Sequence, residues 1–83
     1  MKLEIRYFAS IREALGASET IDVPAGSSVA SVRDALIARG GRHAEGLARG
    51  RALRCALNQV LCMESAVIEA DVELAFFPPV TGG

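Results

Sequence analysis

Two segments with period-two alternation stand near opposite ends of the 83-residue chain, Lys2–Phe8 and Asp71–Phe77. They constrain the fold more than any other feature. In the first, Leu3, Ile5 and Tyr7 point one way, while Lys2, Glu4, Arg6 and Phe8 point the other. In the second, Val72, Leu74 and Phe76 share one face, and Glu73, Ala75 and Phe77 the other. Period two means half-buried strands. A chain this short supports one domain, and its core must be dense in apolar residues. If the first and last strands are neighbours, Phe8 and Phe77 lie side by side on the uncovered face.

The rest of the chain supplies further elements. Ser10–Gly16 predicts a short helix with Ser10 as N-cap, Glu13 completing a capping box, and Gly16 as the left-handed stop. Glu19–Val23 alternates again, with Ile21 and Val23 inward, and ends at the turn Pro24-Ala25-Gly26. Ser27 or Ser28 caps a helix whose stripe is Val29, Val32, Ala35 and Leu36, with Arg33 and Asp34 off it. Gly40-Gly41 closes that helix. Residues 42–50 read as loop with at most one helical turn. Leu53, Cys55 and Leu57 mark a third strand, Asn58-Gln59 a turn, Val60–Cys62 a fourth strand, and residues 63–70 show no pattern. Pro78-Pro79 ends the last strand, because proline has no N–H for the ladder. Strands enclosing one main helix predict a mixed sheet of about five strands, α+β, in the β-grasp arrangement. The expected organisation is a domain over 1–77 and an extended, flexible tail over 78–83.

Composition and motifs exclude several functions. The net charge of −1 argues against nucleic acid, which requires a basic stripe. No like-charge run suits a membrane surface, no stretch approaches a membrane span, and the alternating N-terminus is not a signal peptide. A cytoplasmic location is expected. Cys55 and Cys62 are too few for a disulfide scaffold and, with His43, too few for a metal site. Both cysteines read as small buried hydrophobes and His43 as a solvated loop residue. No nucleotide-binding, metalloprotease or hydrolase motif is present, and the acids fall at positions that suit solvation. A stand-alone enzyme is not expected.

The remaining candidate is the terminal stretch Phe76–Gly83, FFPPVTGG. Pro78 and Pro79 fix φ and push Phe77 to an extended conformation. Six residues in polyproline geometry reach roughly 19 Å. Gly82-Gly83 has no side chains and can enter a narrow slot. Its reactive group is the α-carboxylate, ionised at neutral pH and a poor electrophile. It must be activated, most simply as an anhydride with AMP, after which a nucleophile such as sulfide can displace AMP. A terminal Gly-Gly alone is also compatible with a frayed end; two aromatics and two prolines just before it argue otherwise. Phe8 and Phe77 beside such a tail suggest a docking patch.

Ala75–Gly83 resembles the C-terminal motif of the small subunits of molybdopterin synthase, the ubiquitin-like sulfur carriers of molybdenum cofactor biosynthesis. Phe8-Ala9 with Arg12-Glu13 resembles the family's strand-to-helix motif, and Ala56-Leu57-Asn58-Gln59 its central turn. The likeness covers essentially the whole chain. It implies that a partner adenylating, nucleotide-binding enzyme uses ATP and magnesium to form an acyl-adenylate at Gly83. A sulfur donor protein then makes a thiocarboxylate, so that sulfur is carried covalently at Gly83 with no permanently bound cofactor. The acceptor is precursor Z, a cyclic pyranopterin monophosphate, which becomes the dithiolene. The resemblance further implies a heterotetramer with the large synthase subunit. Gly82, Thr81, Val80, Pro79 and Pro78 would thread that subunit's channel, and Phe77, Phe8 and Leu61 would form the docking patch. Arg12 is a candidate partner contact and equally a candidate for a surface salt bridge. The family's glycine before the last strand is replaced by Asp71, which predicts an altered turn there. Competing readings are a ubiquitin-like protein modifier, a sulfur carrier for thiamine or tRNA thiolation, and an interaction module whose tail is incidental.

Overall fold

The computed structural model describes residues 1–79. Five strands form one mixed sheet: β1 (Lys2–Tyr7), β2 (Ser18–Asp22), β3 (Arg54–Leu57), β4 (Val60–Cys62) and β5 (Val72–Phe77), in the order β2-β1-β5-β3-β4. The two terminal strands are central neighbours and run parallel, with Tyr7 opposite Phe76; the other pairings are antiparallel. This is the β-grasp arrangement expected from the sequence.

The alternation in β1 translates directly into burial. Leu3, Ile5 and Tyr7 are enclosed while Lys2, Glu4 and Arg6 face solvent. Helix α2 (Val29–Ile37) contributes Val29, Val32 and Leu36 to one core with these residues and with Leu74 and Phe76. Its N-cap is Ser28, whose Oγ accepts from Ser31 N–H at 3.1 Å. Gly16 closes α1 (Ala9–Leu15) with φ +93° and ψ 177°, an extended positive-φ conformation open to glycine rather than the left-handed stop expected from its sequence position. Asn58 and Gln59, both at positive φ, make the tight β3–β4 turn.

Several expectations need correction. Helix α1 begins at Ala9, with Phe8 at the N-cap position and no side-chain cap, so Ser10 does not cap it. Ala9 itself takes φ +55°, which turns the chain sharply out of β1. Ala35 is exposed, and Arg33, expected off the apolar stripe, is 3% exposed. Residues expected to be mostly loop include helix α3 (Gly41–Gly46), entered through Gly40 and Gly41 at positive φ. The unpatterned segment 63–70 has a defined role. Carbonyls of Glu64 and Ala66 accept from Ala30 and Val29 at the start of α2, and Ile68 is enclosed in the core. It thus satisfies helix donors that have no intrahelical partner. At the turn where Asp71 replaces the family's glycine, its Oδ1 accepts from Lys2 N–H at 2.9 Å, tying the start of β5 to β1.

His43 is not a solvated loop residue. It lies on α3, with Nε2 2.7 Å from Glu19 Oε2. Tyr7 Oη donates to the same oxygen at 2.8 Å, and Arg39 Nη1 donates to Oε1 at 2.5 Å. Glu19 is therefore a hub joining β1, β2, α3 and the end of α2. Partial burial alone would raise its pKa, but donors from His43, Arg39 and Tyr7 outweigh it and lower the pKa to about 2. Burial, reinforced by Glu19, holds the Tyr7 phenol well above its usual range.

Candidate functional site: a groove on the open face of the sheet

The open face is built by the residues that alternate away from the core. Strand register places Leu61 opposite Ala56, Ala56 opposite Ala75, and Ala75 opposite Arg6, one row across β4, β3, β5 and β1. The two alanines leave a depression in the middle of this row. Around it stand Phe8, Leu61 and Phe77, with Gln59 and Glu73 completing a groove of about 380 Å³. Its wall is largely apolar. Phe8 is 39% exposed and Leu61 67% exposed, so two large side chains stand partly in solvent without a partner. Arg6 Nη1 lies 3.6 Å from Glu73 Oε2, an ion pair on the rim.

Local chemistry explains the placement. Phe8 N–H donates to Phe76 O at 3.3 Å, so the residue that leaves β1 remains anchored to β5. The positive φ at Ala9 then starts α1 at once. Leu61 is positioned by the two-residue turn. Asn58 N–H donates to Glu73 O (2.9 Å), and Asn58 Oδ1 accepts from Glu73 N–H (3.0 Å). The turn is thereby fixed to the strand that carries Phe77.

Of the residues singled out from sequence, Phe8, Leu61 and Phe77 are brought together at this groove. Pro78 and Pro79 follow directly, half-buried and outside the ladder. Arg12 is exposed on α1, does not line the groove, and forms no ion pair with another described residue. The expectations for Val80, Thr81, Gly82 and Gly83 lie outside the described residues. Sequence reasoning missed Ala56, Ala75, Gln59 and Glu73 as groove residues. Ala75 and Glu73 were legible as outward-facing on β5, but the register that sets Ala56 against Ala75 depends on long-range pairing. No helix among the described residues is long and apolar enough to cross a membrane.

Comparison with known proteins converges on one family. The profile described as the ThiS family matches residues 5–83. The molybdopterin synthase sulfur carrier subunit of Haemophilus influenzae is 40% identical over 98% of this chain and 99% of its own length. The protein of the same name from Escherichia coli is 35% identical, over 98% and 99% respectively. Among solved structures, the complex of subunits 1 and 2 of molybdopterin-converting factor from Helicobacter pylori contains a chain 25% identical with a TM-score of 0.66, covering all of both chains. Small archaeal modifier protein 1 of Haloferax volcanii is 25% identical with a TM-score of 0.75, covering 95% of this chain and 98% of that one. With a profile match over nearly its full length and relatives above one-third identity end to end, the chain belongs to the ThiS family, together with the molybdopterin synthase sulfur carrier subunits.

Proposed function

We propose that this protein is the sulfur carrier subunit of a molybdopterin synthase, acting through a C-terminal thiocarboxylate. The observation that carries the reading is the convergence of Phe8, Leu61 and Phe77 on one apolar groove at the point where the chain leaves β5 for Pro78-Pro79. A partner seated on that groove receives the following segment in a fixed direction, because two successive prolines restrict its first steps. The H. pylori complex, which joins the two subunits of a molybdopterin-converting factor, supports a large-subunit partner.

The chemistry rests on the Gly83 carboxylate. It attacks the α-phosphorus of ATP on an adenylating enzyme, releasing pyrophosphate and leaving a mixed anhydride. A sulfur donor then supplies the nucleophile that displaces AMP, and the product is a thiocarboxylate. Within the synthase, the thiocarboxylate sulfur forms a C–S bond to precursor Z as an oxygen substituent departs. Hydrolysis of the acyl–sulfur bond then leaves the sulfur on the pterin and returns the Gly83 carboxylate, so two carriers supply the two sulfurs of one dithiolene. In this scheme the folded domain supplies recognition and aim; Phe8, Leu61 and Phe77 hold the large subunit, and residues 78–83 span the distance to its active site.

The test is intact mass after co-expression with an adenylating enzyme and sulfur donor. Replacement of one oxygen by sulfur adds about 16 Da at Gly83, since a thiocarboxylate differs from a carboxylate by one atom. Deleting Gly83 should remove both that gain and dithiolene formation while leaving the domain folded. Unimpaired pterin thiolation by the deletion variant would overturn the proposal.

A second reading, a ubiquitin-like protein modifier, has support from the likeness to small archaeal modifier protein 1. It shares the activation step and differs in the acceptor. Isopeptide adducts between Gly83 and lysines of other proteins would favour it.

A further inference from the structure

We infer that Cys55 and Cys62 form a modification site, a dithiol that a low-molecular-weight disulfide converts to an intramolecular disulfide stapling the edge strand β4 to β3. The two residues are directly opposed in the antiparallel β3–β4 pair, and their Sγ atoms lie 3.7 Å apart. Opposed residues in such a pair stand about 4.5 or 5.5 Å apart at Cα. Both values fall inside the window of about 4.4–6.8 Å that a disulfide spans without backbone movement. A cavity of about 310 Å³, lined also by Leu53, Arg54, Met63 and Glu64, reaches both thiols.

Their unequal exposure assigns the order of events. Cys62 is half-buried, with part of its surface reaching solvent, and Cys55 is 3% exposed. Burial and the neighbouring Cys62 thiol push the Cys55 pKa up to about 12, so Cys55 is a poor first nucleophile. Cys62, as the thiolate, attacks one sulfur of RSSR and expels RS⁻, leaving Cys62–S–S–R. Cys55 then loses its proton and attacks Cys62 Sγ, expelling the second RS⁻. Two protein thiols are oxidised, RSSR is reduced to two RSH, and no further electron acceptor is needed.

The bond would bear on the open face. The rung next to Cys55–Cys62 is Ala56–Leu61, and both of its residues line the groove. β4 has three residues and lies at the sheet edge, where strands open most readily. A staple one rung away holds Leu61 in register.

The experiment treats the full chain with oxidised glutathione and follows intact mass and hydrogen exchange. No Lys or Arg follows Arg54 in the sequence, so both cysteines fall on one tryptic peptide beginning at Cys55. The expected product is a monomer lighter by about 2 Da, the change located in that peptide and reversed by a dithiol reductant. Exchange in β4 should slow at least about tenfold in the oxidised form. Cys55→Ala should stop at the glutathione adduct on Cys62, and Cys62→Ser should not react. A wild-type chain that keeps its full mass, retains the adduct or forms only a disulfide dimer overturns the inference, as does a Cys62→Ser variant that reacts at the wild-type rate. None of these readouts depends on the sulfur-carrier reading.

Discussion

The guanidinium of Arg33, 3% exposed, donates from Nη1 to Glu64 Oε2 at 2.7 Å. Its other donors reach carbonyls in a single segment: Nε to Leu47 at 2.8 Å, and Nη2 to Ala48 at 2.6 Å and Arg51 at 3.2 Å. Arg49 adds donors to Glu64, to Asp34 and to the Ala30 carbonyl. One buried cation therefore fastens the 47–51 connection to α2 with each of its nitrogens paired, and no buried side-chain polar atom is unpaired among the described residues. Breaking a buried pair by removing one partner costs about 3–5 kcal/mol, since the other groups are left desolvated. Arg33→Ala is expected to lose about 3 kcal/mol or more of unfolding free energy, read from urea denaturation, and Arg33→Lys to recover only part, because one ammonium cannot serve four acceptors. A denaturation midpoint unchanged in Arg33→Ala would assign the connection's order to packing alone.

Acid stability follows from Glu19 and Glu64. Partial burial opposes ionisation of both, yet the donors from His43, Arg39 and Tyr7 depress Glu19 to about 2, and those from Arg49 and Arg33 depress Glu64. A group whose folded pKa lies below its unfolded value binds fewer protons when folded. Its contribution is present above the unfolded value, 4.5 for Glu19, and is lost as pH falls from there towards about 2. Denaturation midpoints should hold from neutral pH down to the ordinary carboxylate range and then drop. Glu19→Gln should start lower and drop less steeply across that window. A variant with the same slope as wild type would place the acid sensitivity elsewhere.

These two hubs mark where the sequence stopped being readable. The period-two strands, the stripe of α2 apart from Ala35, a serine cap at 27 or 28 and the Asn58-Gln59 turn depend on neighbours within a few residues, and they were legible. So was the outward placement of Phe8 and Phe77. Arg33 and Glu19 were misread because a charged side chain at the margin of an apolar stripe reads as solvated. What buries them is a set of acceptors or donors 14 or more residues away in the case of Arg33, and side chains from β1 and the α2–α3 region in the case of Glu19. Leu47 and Ile68 were missed as core for the same reason. Each lies in a segment without period that is held by hydrogen bonds to distant residues, Leu47 O accepting from Arg33 Nε and Ile68 N–H donating to Ser27 O. The groove stood between these cases, since its aromatic walls were visible and its alanine floor required the strand register.

The β3–β4 turn offers a separate test. Its second central residue, Gln59, has φ +68°, in the region that costs a residue with a Cβ about 1 kcal/mol or more. Two-residue turns with positive φ at both central positions favour Asn-Gly. Gln59→Gly is expected to raise unfolding free energy by about 0.5 kcal/mol, the strain relieved being partly offset by the greater freedom of the unfolded chain. Gln59 also lines the groove. The same variant should therefore bind the proposed large-subunit partner more weakly although it is more stable. A variant that gains stability and keeps full affinity would remove Gln59 from the recognition surface.

Leu61 gives the sharpest test of the groove, because adjacent residues on β4 face opposite sides. Leu61 is 67% exposed and lines the groove; Val60, 68% exposed, pairs with Leu57 and does not. Both can accept a charge at little cost to the fold, since surface substitutions usually change stability by under about 0.5 kcal/mol. They differ in what a partner meets. An apolar anchor at the centre of an interface is worth about 2 kcal/mol or more, whereas positions outside it are nearly neutral. If the proposed large-subunit partner seats on the groove, Leu61→Glu is expected to weaken that complex at least about thirtyfold, while Val60→Glu stays within about threefold of wild type, both measured by calorimetry on variants with wild-type denaturation midpoints. Equal losses at the two positions would mean that the partner grips the edge of β4 rather than the face, and would take Leu61, Phe8 and Phe77 out of the docking surface together.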